Sequence, residues 1–150
     1  LSLIREVHTI LCREAIESVP GQFKQRPNMI VGADFTPTPP YLVPSALMDW
    51  IDTLATQVDA AASDSDKVLA ICRQHIAFEH IHPFPDGNGR VGRALIVYSC
   101  FLEEITPIVI PVERRKEYIN YLNTEDLHGF AAFSEQLQAE ERKRIEIFSS

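Results

Sequence analysis

The chain has too few cysteines, in the wrong places, to build a disulfide framework or a zinc site. Cys12, Cys72 and Cys100 are odd in number and far apart, and no C-x-x-C pair exists; they read as small buried apolar residues of a reducing compartment. Cationic excess is also missing. Fourteen Lys and Arg against 21 Asp and Glu leave a formal charge of −7, which argues against a nucleic-acid-binding surface. No run approaches the roughly eighteen apolar residues that a membrane span needs, and no signal peptide is present. Neither nucleic acid nor membrane is therefore an expected partner, and the expected location is cytoplasmic. The chain opens at Leu1 rather than at a methionine, so it reads as a piece from which a targeting sequence could have been lost. Internal repeats and low-complexity tracts are lacking too.

What remains, 150 residues with 45% hydrophobic and 23% charged content, suits one domain, 1–150, with core enough to fold without disulfide or metal staples. Its most informative stretch is 82–93, His-Pro-Phe-Pro-Asp-Gly-Asn-Gly-Arg-Val-Gly-Arg. Gly87 and Gly89 can take positive φ without steric cost and Asn88 tolerates it, so successive N–H groups could turn inward as an anion nest. Val91, Ala94, Leu95, Tyr98, Phe101 and Leu102 then follow at helical spacing. This places the nest at a helix N-terminus, where the dipole favours negative charge. Arg90 and Arg93, three apart, share a helix face and can fork onto phosphate oxygens. Asp86 stands where a Mg²⁺ bridging two phosphates would want an oxygen ligand. His82, with an ordinary pKa of about 6.5, can take a proton from an attacking hydroxyl near neutrality.

Blander explanations cover less. Gly87 to Gly92 spells G-x-G-x-x-G, but that pattern has meaning only after a strand, and a helical, histidine-containing stretch precedes it. A helix-capping turn after Pro-Phe-Pro would account for the glycines. It leaves the histidine, the aspartate and both arginines unexplained.

The stretch resembles the signature of the Fic family, His-Pro-Phe-x-Asp/Glu-Gly-Asn-Gly-Arg-x-x-Arg, and matches every specified position. Looser similarity extends from about Ile4 to about Phe133. The resemblance implies a protein adenylyltransferase that moves AMP from ATP to a Ser, Thr or Tyr hydroxyl of a target protein and releases pyrophosphate. It also implies that His82 is the general base, that Gly87, Asn88, Gly89, Arg90 and Arg93 hold the phosphates, that Asp86 holds Mg²⁺, and that Phe84 points into the core and pins the loop. Two rivals stay open: a related phosphoryl or UMP transfer, and a module that binds a nucleotide or partner without turnover.

Taken in order, 1–19 reads as a helix with Ile4, Val7, Leu11 and Ala15 on one face, ended by Pro20 and Gly21, with His8 hydrogen-bonded at the core edge. Residues 22–32 look like a β-hairpin turning at Arg26–Pro27–Asn28. In the Fic family a hairpin at this place, the flap, aligns the target by strand addition; Lys24, Met29, Ile30 and Val31 are its candidate target-positioning residues here. Four prolines in 33–44 forbid a regular helix. Ser45 is expected to cap a helix carrying Leu47, Trp50, Ile51, Leu54 and Val58. Residues 66–81 form a helix apolar over much of its surface, expected to run through the middle of a bundle. His75, His80 and His82 lack zinc spacing, and Glu79 and His80 are expected to support the catalytic loop. Helices are also expected over 113–123 and 126–148. In the first, Arg115, Tyr118 and Leu122 resemble a family pattern in which Ile119 replaces a second tyrosine, making Tyr118 the candidate adenine contact. The fold class is all-α, a single-domain Fic-like bundle with a small hairpin flap.

Many Fic proteins are restrained by a glutamate, in Ser/Thr-x-x-x-Glu-Gly/Asn, that pairs with the second motif arginine, here Arg93. The nearest matches are Ser2 to Glu6, followed by Val7, and Ser134 to Gln138, which carries no charge. These 150 residues are therefore expected to lack an effective inhibitory glutamate, and any inhibitory segment or chain is expected to lie outside them.

Overall fold

The computed structural model describes residues 1–14 and 19–149. These form helices α1 (Ser2–Leu11), α2 (Val43–Asp59), α3 (Asp64–Ile81), α4 (Asn88–Leu102), α5 (Arg115–Thr124) and α6 (Leu127–Ser149), with 3-10 turns at Pro40–Leu42 and Val112–Arg114. No helix among the described residues is long and apolar enough to cross a membrane.

The apolar patterning decides the packing. α3 buries residues around most of its circumference, including Val68, Ile71, Cys72, His75, Phe78 and Ile81, and accordingly packs against α2, α4 and α6. One core cluster gathers Ile71, Ile96, Tyr118, Phe130 and Phe133 between α3, α4, α5 and α6. A second gathers Ile4, Leu47, Trp50, Phe78, Phe84 and Val91 between α1, α2, α3 and α4. Each buried side chain of this size contributes about 1.5–3 kcal/mol. α3 and α4 belong to both clusters, so the loop that joins them is held from two sides. The three cysteines are buried and free.

Some boundaries differ from expectation. α1 ends at Leu11, where the Cys12 N–H closes onto the His8 carbonyl; Ala15 lies outside the described residues. α2 begins at Val43 with Pro44 in its first turn, where the missing N–H costs nothing. Ser45 lies inside the helix and donates to the Leu42 carbonyl. Ser63 caps α3 by accepting from the Asp66 N–H.

The expected β-hairpin over 22–32 is not formed, and no strand occurs among the described residues. The first half turns to the loop at 81–84 instead of to the second half. The Lys24 N–H donates to the Pro83 carbonyl, and Pro27 has no N–H to give. The chain turns instead at 30–33: the Ala33 N–H donates to the Ile30 carbonyl, and Gly32 takes φ +84° at the third turn position, which demands a residue tolerant of positive φ.

Candidate active site

His82 ends α3 in the left-handed region (φ 48°, ψ 60°), its N–H donating to the Phe78 carbonyl. A non-glycine residue held there costs about 1–3 kcal/mol, and Pro83 next in sequence prevents the helix from continuing. The loop then runs to Gly87 (φ 82°), which caps α4. A Cβ at Gly87 would collide with Cys12 Sγ, so glycine here answers both to conformation and to the close passage of α1. Gly87 alone carries the positive φ. Asn88 and Gly89 are helical, so the N–H groups available to an anion are those of the first α4 turn rather than those of an alternating nest.

Asn88 is buried, and its side chain is fully engaged with Phe84: the Phe84 N–H donates to Asn88 Oδ1 and Asn88 Nδ2 donates to the Phe84 carbonyl, both at 2.8 Å. Phe84 is itself fully buried, stacked on His8 at 3.9 Å and beside Phe23 at 5.4 Å. His8 supports the same loop from α1. Its Nδ1 accepts from the Gly21 N–H (2.9 Å), which leaves Nε2 to carry the proton donated to the Asp86 carbonyl (3.0 Å). Burial keeps this imidazole below its ordinary pKa, in its neutral form.

A cleft of about 290 Å³ opens above the loop, lined among others by Glu79, His82, Gly89, Arg93, Tyr118 and the segment Ile30–Val31. The tertiary structure thus brings the candidate base, one motif arginine and part of the expected flap to one place. A Cβ at Gly89 would stand 3.2 Å from an Arg93 guanidinium nitrogen, so the glycine leaves that guanidinium open to the cleft. Among the described residues no carboxylate lies at ion-pair distance from Arg93. Glu6 is exposed on α1, and Gln138 donates to the Thr106 carbonyl. Arg90 lies on the other side of the loop, donating to the Leu11 carbonyl (3.3 Å) and paired with Asp86 at 3.5 Å. The Asp86 carboxylate is 59% exposed. One accessible carboxylate suits Mg²⁺, which binds through one or two carboxylates, substrate phosphates and retained waters.

Beneath the cleft lies a buried polar layer. His75 Nε2 and Tyr118 Oη are 2.7 Å apart, and the Arg93 guanidinium sits over the Tyr118 ring at 6.0 Å. Tyr118 therefore offers the cleft only part of a buried ring, with its hydroxyl engaged to His75. Glu79 lies between two imidazoles: Oε1 is 3.9 Å from His75 Nε2 and Oε2 is 4.0 Å from His82 Nδ1. Neither Glu79 Oε1 nor His82 Nδ1 has a hydrogen-bond partner. Burial pushes the Glu79 carboxyl up to about 7, with Arg93 opposing. Burial also lowers His75 to about 3, helped by Arg93. It lowers His82 to about 4, with the Lys24 ammonium adding to the effect while the Glu79 main chain and Asp86 oppose it. His82 is thus neutral, the form a proton acceptor requires, throughout the neutral range. His80 stacks on Phe35 at 3.9 Å and faces Glu125 at 3.3 Å.

The expected flap residues divide. Met29 and Val31 are exposed and Ile30 is half-buried, with Ile30 and Val31 on the cleft wall. Lys24 is 3% exposed and faces inward. Its Nζ donates to the Ile81 carbonyl (3.2 Å) and to Asn28 Oδ1 (2.7 Å), and Asn28 Nδ2 donates to the carbonyls of Phe84 (2.9 Å) and His82 (3.3 Å). Asn28 and His8 lie 56 and 78 residues from their loop partners, and sequence reasoning gave neither a part in the site. Only Glu79, one helical turn before His82, carried a local signal.

The chain resembles known proteins in sequence and in fold. A probable protein adenylyltransferase of Aquifex aeolicus is 36% identical over 105 residues, covering 70% of this chain and 31% of its own. The protein adenylyltransferase Fic of Aedes aegypti is 30% identical over 133 residues, covering 87% and 26% respectively. The chain thus spans about a third or less of the length of these curated relatives. Among solved structures, a Fic-domain-containing signaling protein from Bacteroides thetaiotaomicron superposes with a TM-score of 0.78 at 24% identity, over 94% of this chain and 60% of that one. Fic-1 of C. elegans superposes with a TM-score of 0.79 at 23% identity, over 99% and 43%. The family model described as Fic/DOC matches residues 1–100, which include the whole of the 82–93 signature, and the chain belongs to the Fic/DOC family.

Proposed function

We propose that this chain transfers AMP from ATP to a Ser, Thr or Tyr hydroxyl of a protein target and releases pyrophosphate. The observation that carries the reading is the convergence of His82, Gly89 and Arg93 on one cleft whose wall includes the half-buried Ile30 and the exposed Val31. Two relatives that share the signature region bear the name protein adenylyltransferase.

In this reading the first-turn N–H groups of α4 and the Arg93 guanidinium hold the ATP phosphates, by charge-assisted hydrogen bonding at a helix N-terminus. Arg90, beside Asp86 on the far side of the loop, adds positive charge to the same helix end. Asp86 would hold Mg²⁺, which when bound neutralises charge on the phosphate oxygens. Val31, exposed beside the turn at 30–33, offers an edge of chain on the cleft wall against which a target segment can lie. Glu79 stands against His82 Nδ1, so Nε2 is the nitrogen left to take the proton of the target hydroxyl. The oxygen forms a bond to the α-phosphorus, the bond from that phosphorus to the pyrophosphate oxygen breaks, and the electron pair leaves with pyrophosphate. The protein's contribution is positioning and stabilisation of charge. Tyr118, placed beside Arg93, supports the nucleotide end of the cleft.

Incubation of candidate targets with α-³²P-ATP, γ-³²P-ATP or labelled UTP in the presence of Mg²⁺ tests the proposal. Label transferred from the α position, with an added AMP found by mass spectrometry, is expected. Transfer from the γ position, or from UTP in preference to ATP, would replace this reading by phosphoryl or UMP transfer, and absence of any transfer by simple binding.

A further inference from the structure

Four consecutive main-chain carbonyls around the candidate base are held by one short segment. Lys24 Nζ donates to Ile81, Asn28 Nδ2 to His82, the Lys24 N–H to Pro83 and Asn28 Nδ2 again to Phe84. Lys24 and Asn28 are tied to each other at 2.7 Å, so the two side chains act as one bracket. It grips the loop where regular structure cannot, because His82 has left-handed dihedral angles and Pro83 interrupts the N–H pattern. A lysine this buried is uncommon unless its ammonium is well partnered; burial depresses Lys24 to about 8. Only two residues beyond Asn28, the same segment reaches the cleft wall at Ile30 and Val31.

We infer that Lys24 and Asn28 are positioning residues for His82, and that they couple the target-facing segment 29–31 to the orientation of the base. The inference rests on the reading of His82 as general base. A target segment lying along 29–31 orders Asn28, and Asn28 holds the carbonyls of His82 and Phe84, so the imidazole is set in place by the same contact that delivers the hydroxyl. Lys24 adds an electrostatic effect, since its ammonium disfavours protonation of His82. The groups that face His82 are Glu79 from α3, Lys24 from the bracket, Asp86 from the loop, and Arg93 and Arg115 across the cleft.

The test compares Asn28→Asp and Lys24→Met with the parent chain. Asn28→Asp keeps an acceptor for Lys24 Nζ and removes the donor to the loop. Steady-state kinetics of AMP transfer and NMR titration of the His82 ring carbons are both measured, with thermal melting to show that each variant is folded. The expected result is a kcat reduced by about tenfold or more with KM for ATP within about twofold of the parent. In Lys24→Met the His82 titration moves to higher pH. Unchanged kcat in both folded variants, or a His82 titration that does not move in Lys24→Met, overturns the inference. So does a loss of activity that follows KM for ATP and melting temperature together, because that is general destabilisation. The titration needs no turnover, so it judges the bracket even if the parent chain transfers no AMP, the result that would defeat the functional reading instead.

Discussion

Asn88 and Phe84 hold each other by a reciprocal pair of hydrogen bonds, N–H to Oδ1 and Nδ2 to carbonyl, each 2.8 Å long. The amide of Asn88 thereby imitates a paired strand residue, and it closes the loop that carries Asp86 back onto the residue buried beneath it. The Asn88 side chain thus shapes the loop from behind, with its amide turned to Phe84 rather than to the cleft.

This relationship sets the first expectation. Asn88→Ala leaves the buried Phe84 N–H without its partner, at a cost of about 1–3 kcal/mol, while the Phe84 carbonyl keeps Asn28 Nδ2. Asn88→Asp retains the acceptor but sets a carboxylate against the Phe84 carbonyl, so it should destabilise at least as much at neutral pH. Chemical denaturation of both variants measures the loss; a midpoint unchanged from the parent would show that the loop is held without Asn88.

If His82 takes the proton of the target hydroxyl, His82→Ala should reduce AMP transfer by about 10² or more, the usual scale for removing acid–base catalysis. ATP affinity should stay close to that of the parent if, as proposed, the phosphates are held by α4 and Arg93. Calorimetric titration with a non-hydrolysable ATP analogue, alongside turnover, separates the two effects. Near-normal turnover in the variant would remove His82 from the role.

Arg93 and Asp86 differ in what they should change. Arg93→Ala should weaken ATP more than AMP, because in the proposed reading the lost guanidinium faces phosphates that AMP lacks. Asp86→Ala should flatten the dependence of rate on Mg²⁺ concentration as well as lowering the rate. Equal weakening of ATP and AMP by Arg93→Ala would place that guanidinium away from the β and γ phosphates.

The buried Glu79 has consequences for stability as pH changes. Its folded-state pKa is raised to about 7, so the folded chain keeps a proton that the unfolded chain releases above about pH 4.5, and stability falls as pH rises through that window. His75 and His82, lowered to about 3 and about 4, act in the opposite sense: their contribution is present above the ordinary imidazole value of about 6.5 and lost as pH falls below it. Glu79→Gln removes the first effect alone. Its melting temperature relative to the parent should therefore climb between about pH 5 and about pH 7.5 and level off above, whereas a difference constant with pH would mean that Glu79 titrates as an ordinary exposed carboxylate.

The helical class, the central placement of α3 and the break between α3 and α4 at the 82–93 signature were legible in the sequence because they follow from local rules. Apolar residues recurring at helical spacing fix which faces are buried, and the histidine, the aspartate, the glycines and Arg93 lie within twelve residues whose order alone suggests phosphate chemistry. The segment 22–32 was not legible, because short alternating stretches around a proline have the same local pattern whether their main chain pairs with itself or with something else. Only the tertiary structure decided that Lys24 and Asn28 bind the carbonyls of 81–84, that Arg90 faces Leu11 and Asp86 while Arg93 faces the cleft, and that Tyr118 gives its hydroxyl to His75. Each of these depends on which buried donors and acceptors meet across long separations in the chain, and a buried polar group takes whichever partner the packing of the helices brings within reach.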